Sequence, residues 1–154
     1  MSNVVITKTT KIPLPAEKMW ELLQQTKTLR NIGKGFVQYQ GKFHAEWKVG
    51  QKCTVTPIFT KFPWSLAPSG PHTILVSNID PVLMMIETKE SGGFVTAWNH
   101  TMRITSSSHN DFCIYSDTVE IEADWWAMPV VKRLARALYN HRHARWLILA
   151  EQQK

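Results

Sequence analysis

From Val4 to Ile12, β-branched residues mix with threonine and lysine, the pattern of a strand with one wet face, until Pro13 and Pro15 stop it. Proline is tolerated in the first helical turn, so Pro15 opens a helix on which Ala16, Met19, Trp20 and Leu23 share one face. A short second helix is expected over Thr26 to Ile32, ended by Gly33 and Gly35. Strand patterns then follow at Phe36 to Tyr39, Cys53 to Thr60, His72 to Ile79, Val82 to Lys89, Phe94 to Thr105 and Phe112 to Glu122. Asp80-Pro81, Ser91-Gly92-Gly93 and Ser106 to Asp111 supply the turns between the later ones. Residues 61–71 hold three prolines, a glycine and Trp64 and read as a loop whose aromatic lies over an opening. A long helix is expected from near Trp125 almost to Lys154.

This order predicts an α+β fold: a curved antiparallel sheet of six to seven strands around a long C-terminal helix, with two short helices after strand 1. A sheet gripping one helix leaves a hollow between them. The 154 residues suit one domain burying about 70% of its unfolded surface, and no repeat or linker divides the chain.

Composition narrows the function classes. With 44% hydrophobic and 19% charged residues, the chain resembles an ordinary globule. Its seven tryptophans are spread along the chain, which suits core or cavity walls better than one stacking platform. The formal charge of +6 invites a polyanion partner, yet much of the excess lies in Lys132, Arg133, Arg136, Arg142 and Arg145 of the last helix. No nucleic-acid motif or glycine-rich phosphate loop accompanies it, so no nucleic-acid partner is expected. Cys53 and Cys113 sit inside strand patterns and read as unpaired thiols of a reducing compartment. The N-terminus lacks a signal-peptide pattern, and no apolar run reaches the ~20 residues of a membrane span. A cytoplasmic protein without integral membrane association is expected, with no cofactor, no metal site and a homodimer left open.

Several stretches carry a resemblance. Lys11-Ile12-Pro13-Leu14-Pro15-Ala16-Glu17-Lys18-Met19-Trp20-Glu21-Leu22-Leu23 is a strand followed by a proline-alanine pair opening a helix with an inward tryptophan. In order follow Ile79-Asp80-Pro81, Glu90-Ser91-Gly92-Gly93, Trp98-Asn99-His100, Ser116-Asp117-Thr118-Val119-Glu120-Ile121, and Tyr139-Asn140-His141-Arg142-His143-Ala144-Arg145-Trp146. Together they resemble the START-like, helix-grip (SRPBCC) superfamily, of the polyketide cyclase-dehydrase-like kind, in a bacterial branch. The resemblance implies a deep apolar pocket beneath the C-terminal helix. It does not imply one activity, because members bind lipids, sterols and polyketides and a minority are cyclases or dehydratases.

Side-chain direction identifies polar residues that belong inside. In the sixth strand, Phe94, Thr96, Trp98, His100, Met102 and Ile104 share the core face; in the seventh, Cys113, Tyr115, Asp117, Val119 and Ile121 do. A turn centred on Ser108-His109 sets His100 across from Asp117, Met102 across from Tyr115 and Trp98 across from Val119. On the last helix, at ~100° per residue, Val130, Leu134, Ala137, Leu138, His141, Ala144, Arg145 and Ile148 form the apolar stripe. Lys132, Arg133, Arg136, Asn140 and His143 then face water. His100, Asp117, His141 and Arg145 are thus expected in the interior, where charges need partners.

Three roles follow. Asp117 orients His100, or pairs with Arg145, and so fixes helix to sheet. Alternatively, Trp98, His100, Met102, Tyr115, Asp117, Leu138, His141 and Arg145, with Trp64 from the loop, hold a small hydrophobic or amphipathic molecule: a lipid, an isoprenoid or an aromatic metabolite. In the third, His100 is a general base whose tautomer Asp117 fixes, as in a cyclase or dehydratase. His44, His72 and His109 look isolated, Glu87 and Glu90 look solvated at a hairpin end, and His141 and His143 point to different sides of their helix.

Overall fold

Residues 1–67 and 70–154 are described by a computed structural model; Pro68 and Ser69, within the expected 61–71 loop, lie outside the described residues. Strand β1 (Ser2–Ile12) leads through Pro15 into helix α1 (Ala16–Leu23), and α2 (Thr26–Gly33) follows at once. Strands β2 (Val37–Gln40), β3 (Lys52–Phe59), β4 (His72–Asp80), β5 (Met85–Gly92), β6 (Val95–Ser106) and β7 (Cys113–Ala123) come next, and helix α3 (Met128–Gln152) closes the chain. The seven described strands form one antiparallel sheet in the order β1-β7-β6-β5-β4-β3-β2. The first and last strands are neighbours, and α3 packs back on β1, β7 and α2. This is the helix-grip arrangement expected from the sequence.

Alternation along the strands makes one face of the sheet dry. Every second residue of β7, from Cys113 to Ala123, is buried, as are Trp98, His100, Met102 and Ile104 of β6. The core is two apolar clusters. One gathers α1, α2 and the end of α3, with Trp146 and Leu149 against Ile74, Val76 and Ile86. The other joins the first half of α3, with Val131, Ala135 and Leu138, to Ile6, Val119 and Ile121. Between these two stretches of α3 lie Arg142 and His143, both buried.

Several boundaries differ from expectation. Strand β5 starts three residues later, because the Asp80 carboxylate accepts hydrogen bonds from the amides of Val82 and Leu83 and holds a turn that Met84 completes at φ 50°. Helix α3 starts at Met128 rather than near Trp125, with Pro129 in its first turn. Phe94 and Thr96 are exposed, not on the core face, because the β6–β7 register shifts between Val95 and Ala97. The β6–β7 register itself differs by two residues: Met102 is opposite Asp117, His100 opposite Val119, Trp98 opposite Ile121, and Ile104 opposite Tyr115. A two-residue slip keeps every side chain on its face, so the inward set from Trp98 onward survives although the partners change.

The larger correction concerns α3. Its buried stripe is Val131, Ala135, Leu138, Tyr139, Arg142, His143, Trp146, Leu149 and Ala150. The expected stripe lies about one residue away, a rotation of ~100°. Val130 and Ile148 are largely exposed and Leu134, His141 and Arg145 only half-buried, while His143, expected in water, is buried. The expectation preferred a face with fewer charged residues; the protein turns Arg142 and His143 inward because the sheet and β2 supply their partners.

Candidate functional site

Between the dry face of the sheet and α3 lies a cavity of about 320 Å³, at the small end of the roughly 300–1,000 Å³ typical of small-molecule sites. Its wall is mainly apolar: Leu23 and Ile32 from the short helices, Phe59 and Ile74 from β3 and β4, Trp98 and Met102 from β6. Val131, Leu134, Leu138 and Trp146 contribute the α3 side. At one end the β5–β6 hairpin, Gly92 to Val95, joins the wall with Val130. Glycine is required there: Gly92 has φ 154°, and a Cβ would lie 2.4 Å from the Pro71 carbonyl oxygen. Beside this end Phe94 meets Trp126 edge to face at 5.6 Å, both rings largely exposed.

A few polar groups interrupt the apolar wall, and they fall into three sets. The first is centred on Asp117, which is buried behind His100. Its Oδ1 accepts hydrogen bonds from His100 Nε2 (2.6 Å) and the Tyr115 hydroxyl (2.9 Å), and its Oδ2 accepts one from His143 Nε2 (2.7 Å). Burial alone would raise the Asp117 pKa, but the two imidazoles outweigh it and hold the carboxyl well below the usual range. An ionised carboxylate only accepts, so both rings carry hydrogen on Nε2. His143 Nδ1 then meets the Thr10 hydroxyl at 2.7 Å, which links α3 to β1 through β7. Burial, and then the Asp117 charge, push the Tyr115 phenol well up.

The second set is His72 and Glu90, brought together where β4 and β5 pair. His72 Nε2 donates to Glu90 Oε2 (2.8 Å), and the Thr88 hydroxyl donates to Oε1 (2.7 Å). Desolvation would raise the Glu90 pKa, but the His72 bond and charge, with His100 and Thr88, bring it below the ordinary value. His72 is therefore not isolated and Glu90 is not solvated, contrary to the sequence reading; both line the cavity.

The third set joins α3 to β6 and β2. The Trp98 indole donates to the Tyr139 hydroxyl at 3.0 Å, and Arg142 Nη2 donates to the Tyr39 hydroxyl. Arg142 is only 6% exposed, and its guanidinium lies 5.5 Å from the centre of the Tyr139 ring.

Of the residues expected to hold a ligand, Trp98, His100, Met102 and Leu138 line the cavity. Tyr115 and Asp117 are buried but are not among its lining residues; they stand behind His100. His141 points the other way, its Nε2 donating to the Lys34 carbonyl at 2.7 Å. Arg145 reaches Asn31 Oδ1 at 3.1 Å, not Asp117. Trp64, in a 3₁₀ turn over Trp64–Leu66, packs against the apolar cluster at the first half of α3 and is not in the cavity wall; the same loop contributes Ala67 and Gly70. Arg142, His143, Tyr139, Tyr39, His72 and Glu90 were missed. The signals lay in Tyr139 and Trp146 flanking Arg142 at three and four residues, and in Ile86, Thr88 and Glu90 alternating along β5 with Ile74 opposite Glu90.

Cys53 is half-buried and Cys113 buried; burial, then the Glu17 charge, push the Cys113 thiol up to about 11. Among the described residues no group of three or more histidine, cysteine, aspartate or glutamate side chains is arranged to hold a metal ion, and no helix is long and apolar enough to cross a membrane.

Comparison with known proteins agrees with this architecture. The Zhui aromatase/cyclase from Streptomyces sp. R1128 superposes with a TM-score of 0.76 at 12% identity, covering 99% of this chain and 96% of that one. Norcoclaurine synthase from Thalictrum flavum, a point mutant in complex with a transition state analogue, gives 0.73 at 14% identity, again over 99% and 96%. A START superfamily protein from Mycobacterium smegmatis gives 0.71 at 16%, over 97% and 99%. The fold is thus the START-like helix-grip fold expected from the sequence motifs. No curated protein matches the chain. A family model described as a domain of unknown function, DUF8410, matches residues 44–149, and the chain belongs to that family.

Proposed function

We propose that the chain, as one unit over residues 1–154, binds a small hydrophobic or amphipathic molecule in the cavity between the sheet and α3. The observation that carries this reading is the cavity itself, about 320 Å³ with a mainly apolar wall and a few fixed polar groups. Such a wall excludes strongly solvated substrates and favours burial of apolar surface, at ~25 cal/mol per Å². A lipid, isoprenoid or aromatic metabolite suits it. The similar structures include a START superfamily protein, which agrees with this reading at the level of the fold.

The test is a titration of the folded protein with N-phenyl-1-naphthylamine, a neutral apolar probe that brightens out of water. Saturable binding with a raised melting temperature is expected, by mass action on the native state. Failure of the folded protein to bind either this probe or an apolar acid or alcohol would overturn the reading. Native mass spectrometry after gentle purification would add the identity of any retained molecule.

A second reading has its own observation. His100 is on the cavity wall and donates Nε2–H to Asp117 at 2.6 Å, which leaves Nδ1 as the basic nitrogen. A general base with a carboxylate-fixed tautomer suits cyclase or dehydratase chemistry, and the similar structures include an aromatase/cyclase. His100→Ala separates the roles. If His100 serves the cavity, probe affinity changes by about tenfold while stability falls little, since Tyr115 and His143 still hold Asp117. A large melting loss with unchanged affinity would leave His100 as a structural partner and remove the catalytic reading.

A further inference from the structure

The groups on the cavity wall are unequally satisfied. Asp117 has both oxygens occupied by three donors, and Glu90 has both occupied by His72 and Thr88. Arg142 differs. A guanidinium offers five N–H donors in a planar fork. Among the described residues only Nη2 has a hydrogen-bond partner, the neutral Tyr39 hydroxyl, and no carboxylate lies within 4 Å of it. Nε is buried with no partner at all. The side chain is nevertheless 94% buried by its 6% exposure, and it forms part of the cavity wall.

This arginine is charged and keeps most of its hydrogen-bonding capacity unspent. Burial favours its neutral form, yet the Tyr39 and Tyr139 oxygens and the more distant Asp117 and Glu90 carboxylates outweigh this, and its pKa lies above the ordinary value. It therefore stays charged. A buried charge is normally paired, and a guanidinium most favourably accepts a planar anion on two parallel N–H···O bonds. Tyr39 gives this fork one neutral acceptor, and the cavity is the open side from which an anionic one can reach the rest.

We infer that the ligand carries a carboxylate on an apolar body, and that Arg142 receives the carboxylate while the wall from Trp98 to Leu138 receives the body. This rests on the binding reading above and specifies its ligand class. A single guanidinium with one phenol beside it matches a monoanion. A phosphate dianion would demand further donors, and the Glu90 and Asp117 carboxylates, which also oppose a monoanion, would oppose a dianion about twice as strongly. The remaining contacts fit the same division: Tyr39 steadies one edge of the fork, and the Tyr139 ring lies 5.5 Å from the guanidinium carbon.

The test compares decanoate with n-decanol, equal in chain length and different in the head group, as competitors of N-phenyl-1-naphthylamine at about pH 8, with decanoate also followed directly by calorimetry. The wild-type protein is expected to prefer decanoate by about tenfold or more, the scale of one charge-assisted pair. Arg142→Met is expected to remove the preference and keep the affinity for the probe and decanol. Arg145→Met, which removes an arginine of the same helix outside the cavity wall, is expected to keep the preference. Should Arg142→Met fail to fold, Arg142→Lys retains the charge without the fork and is expected to lose several-fold of the preference. Equal binding of decanoate and decanol to the wild type would overturn this inference alone and leave the cavity reading standing. A preference that persists undiminished in the Arg142 variants would overturn it too, by locating the attraction elsewhere. Binding of none of the three molecules would overturn both. Binding of decanoate alone, abolished by the Arg142 substitution, would uphold the carboxylate site and restrict the cavity to acids.

Discussion

Asp117 keeps its charge against full burial because three donors converge on it from three different directions: His100 on β6, Tyr115 on its own strand and His143 on α3. An amide in its place keeps one accepting oxygen but sets an NH2 donor against an N–H donor on the other side and removes the charge, and breaking a buried pair of this kind costs about 3–5 kcal/mol. Asp117→Asn is expected to lose that much in urea unfolding at neutral pH. The pH dependence has a definite sign. The folded carboxyl is held below the unfolded value of about 3.9, so its stabilisation is complete above about pH 5 and disappears as pH falls through that value and below. The wild type is expected to lose stability there, while Asp117→Asn gives a flatter profile in the same acid range. Parallel curves would mean that Asp117 is not the group responsible. His100 and Asp117 were legible as inward residues because strand alternation has a period of two and survives a two-residue slip in register. Their diagonal pairing was not, because the turn after Ser106 sets it.

At the scale of elements, α3 is the informative case. The sequence predicts its length and closing position well, and its rotational phase poorly. Val130, Leu134 and Ile148 are apolar and suggest one face; Val131, Ala135, Tyr139 and Trp146 form the face that is buried. The phase can be measured by truncation. Trp146 is fully buried, so Trp146→Ala is expected to cost about 3–5 kcal/mol. Ile148, 47% exposed, is expected to cost less than about 0.5 kcal/mol on the same change. Equal losses in thermal or urea unfolding would contradict the observed face.

For the whole molecule, the question is where an apolar probe goes. Exposed rings are also present at Trp125, Trp126 and Phe94, and a surface patch can hold dye without any cavity. Leu134→Trp distinguishes the two. Leu134 is half-buried and lines the cavity, so a larger side chain there takes up the space while leaving the outer rings untouched. Probe affinity is expected to fall about tenfold or more, with the melting temperature unchanged or raised. Undiminished binding would move the probe to the surface patch.

The amino-acid sequence by itself determined the strand and helix order, the two short helices behind Pro15, and the inward set on β7 and, from Trp98 onward, on β6. These depend on local periodicity and on proline and glycine, which act within a few residues. Arg142, His143 and Glu90 became members of the interior only in three dimensions. A polar side chain goes inside when a distant partner is waiting, and the partners of these three are Tyr39, Asp117 with Thr10, and His72. Local spacing marks the face at most and never the partner: an arginine and a histidine next to each other on a helix look like its wet face until the sheet is folded against them.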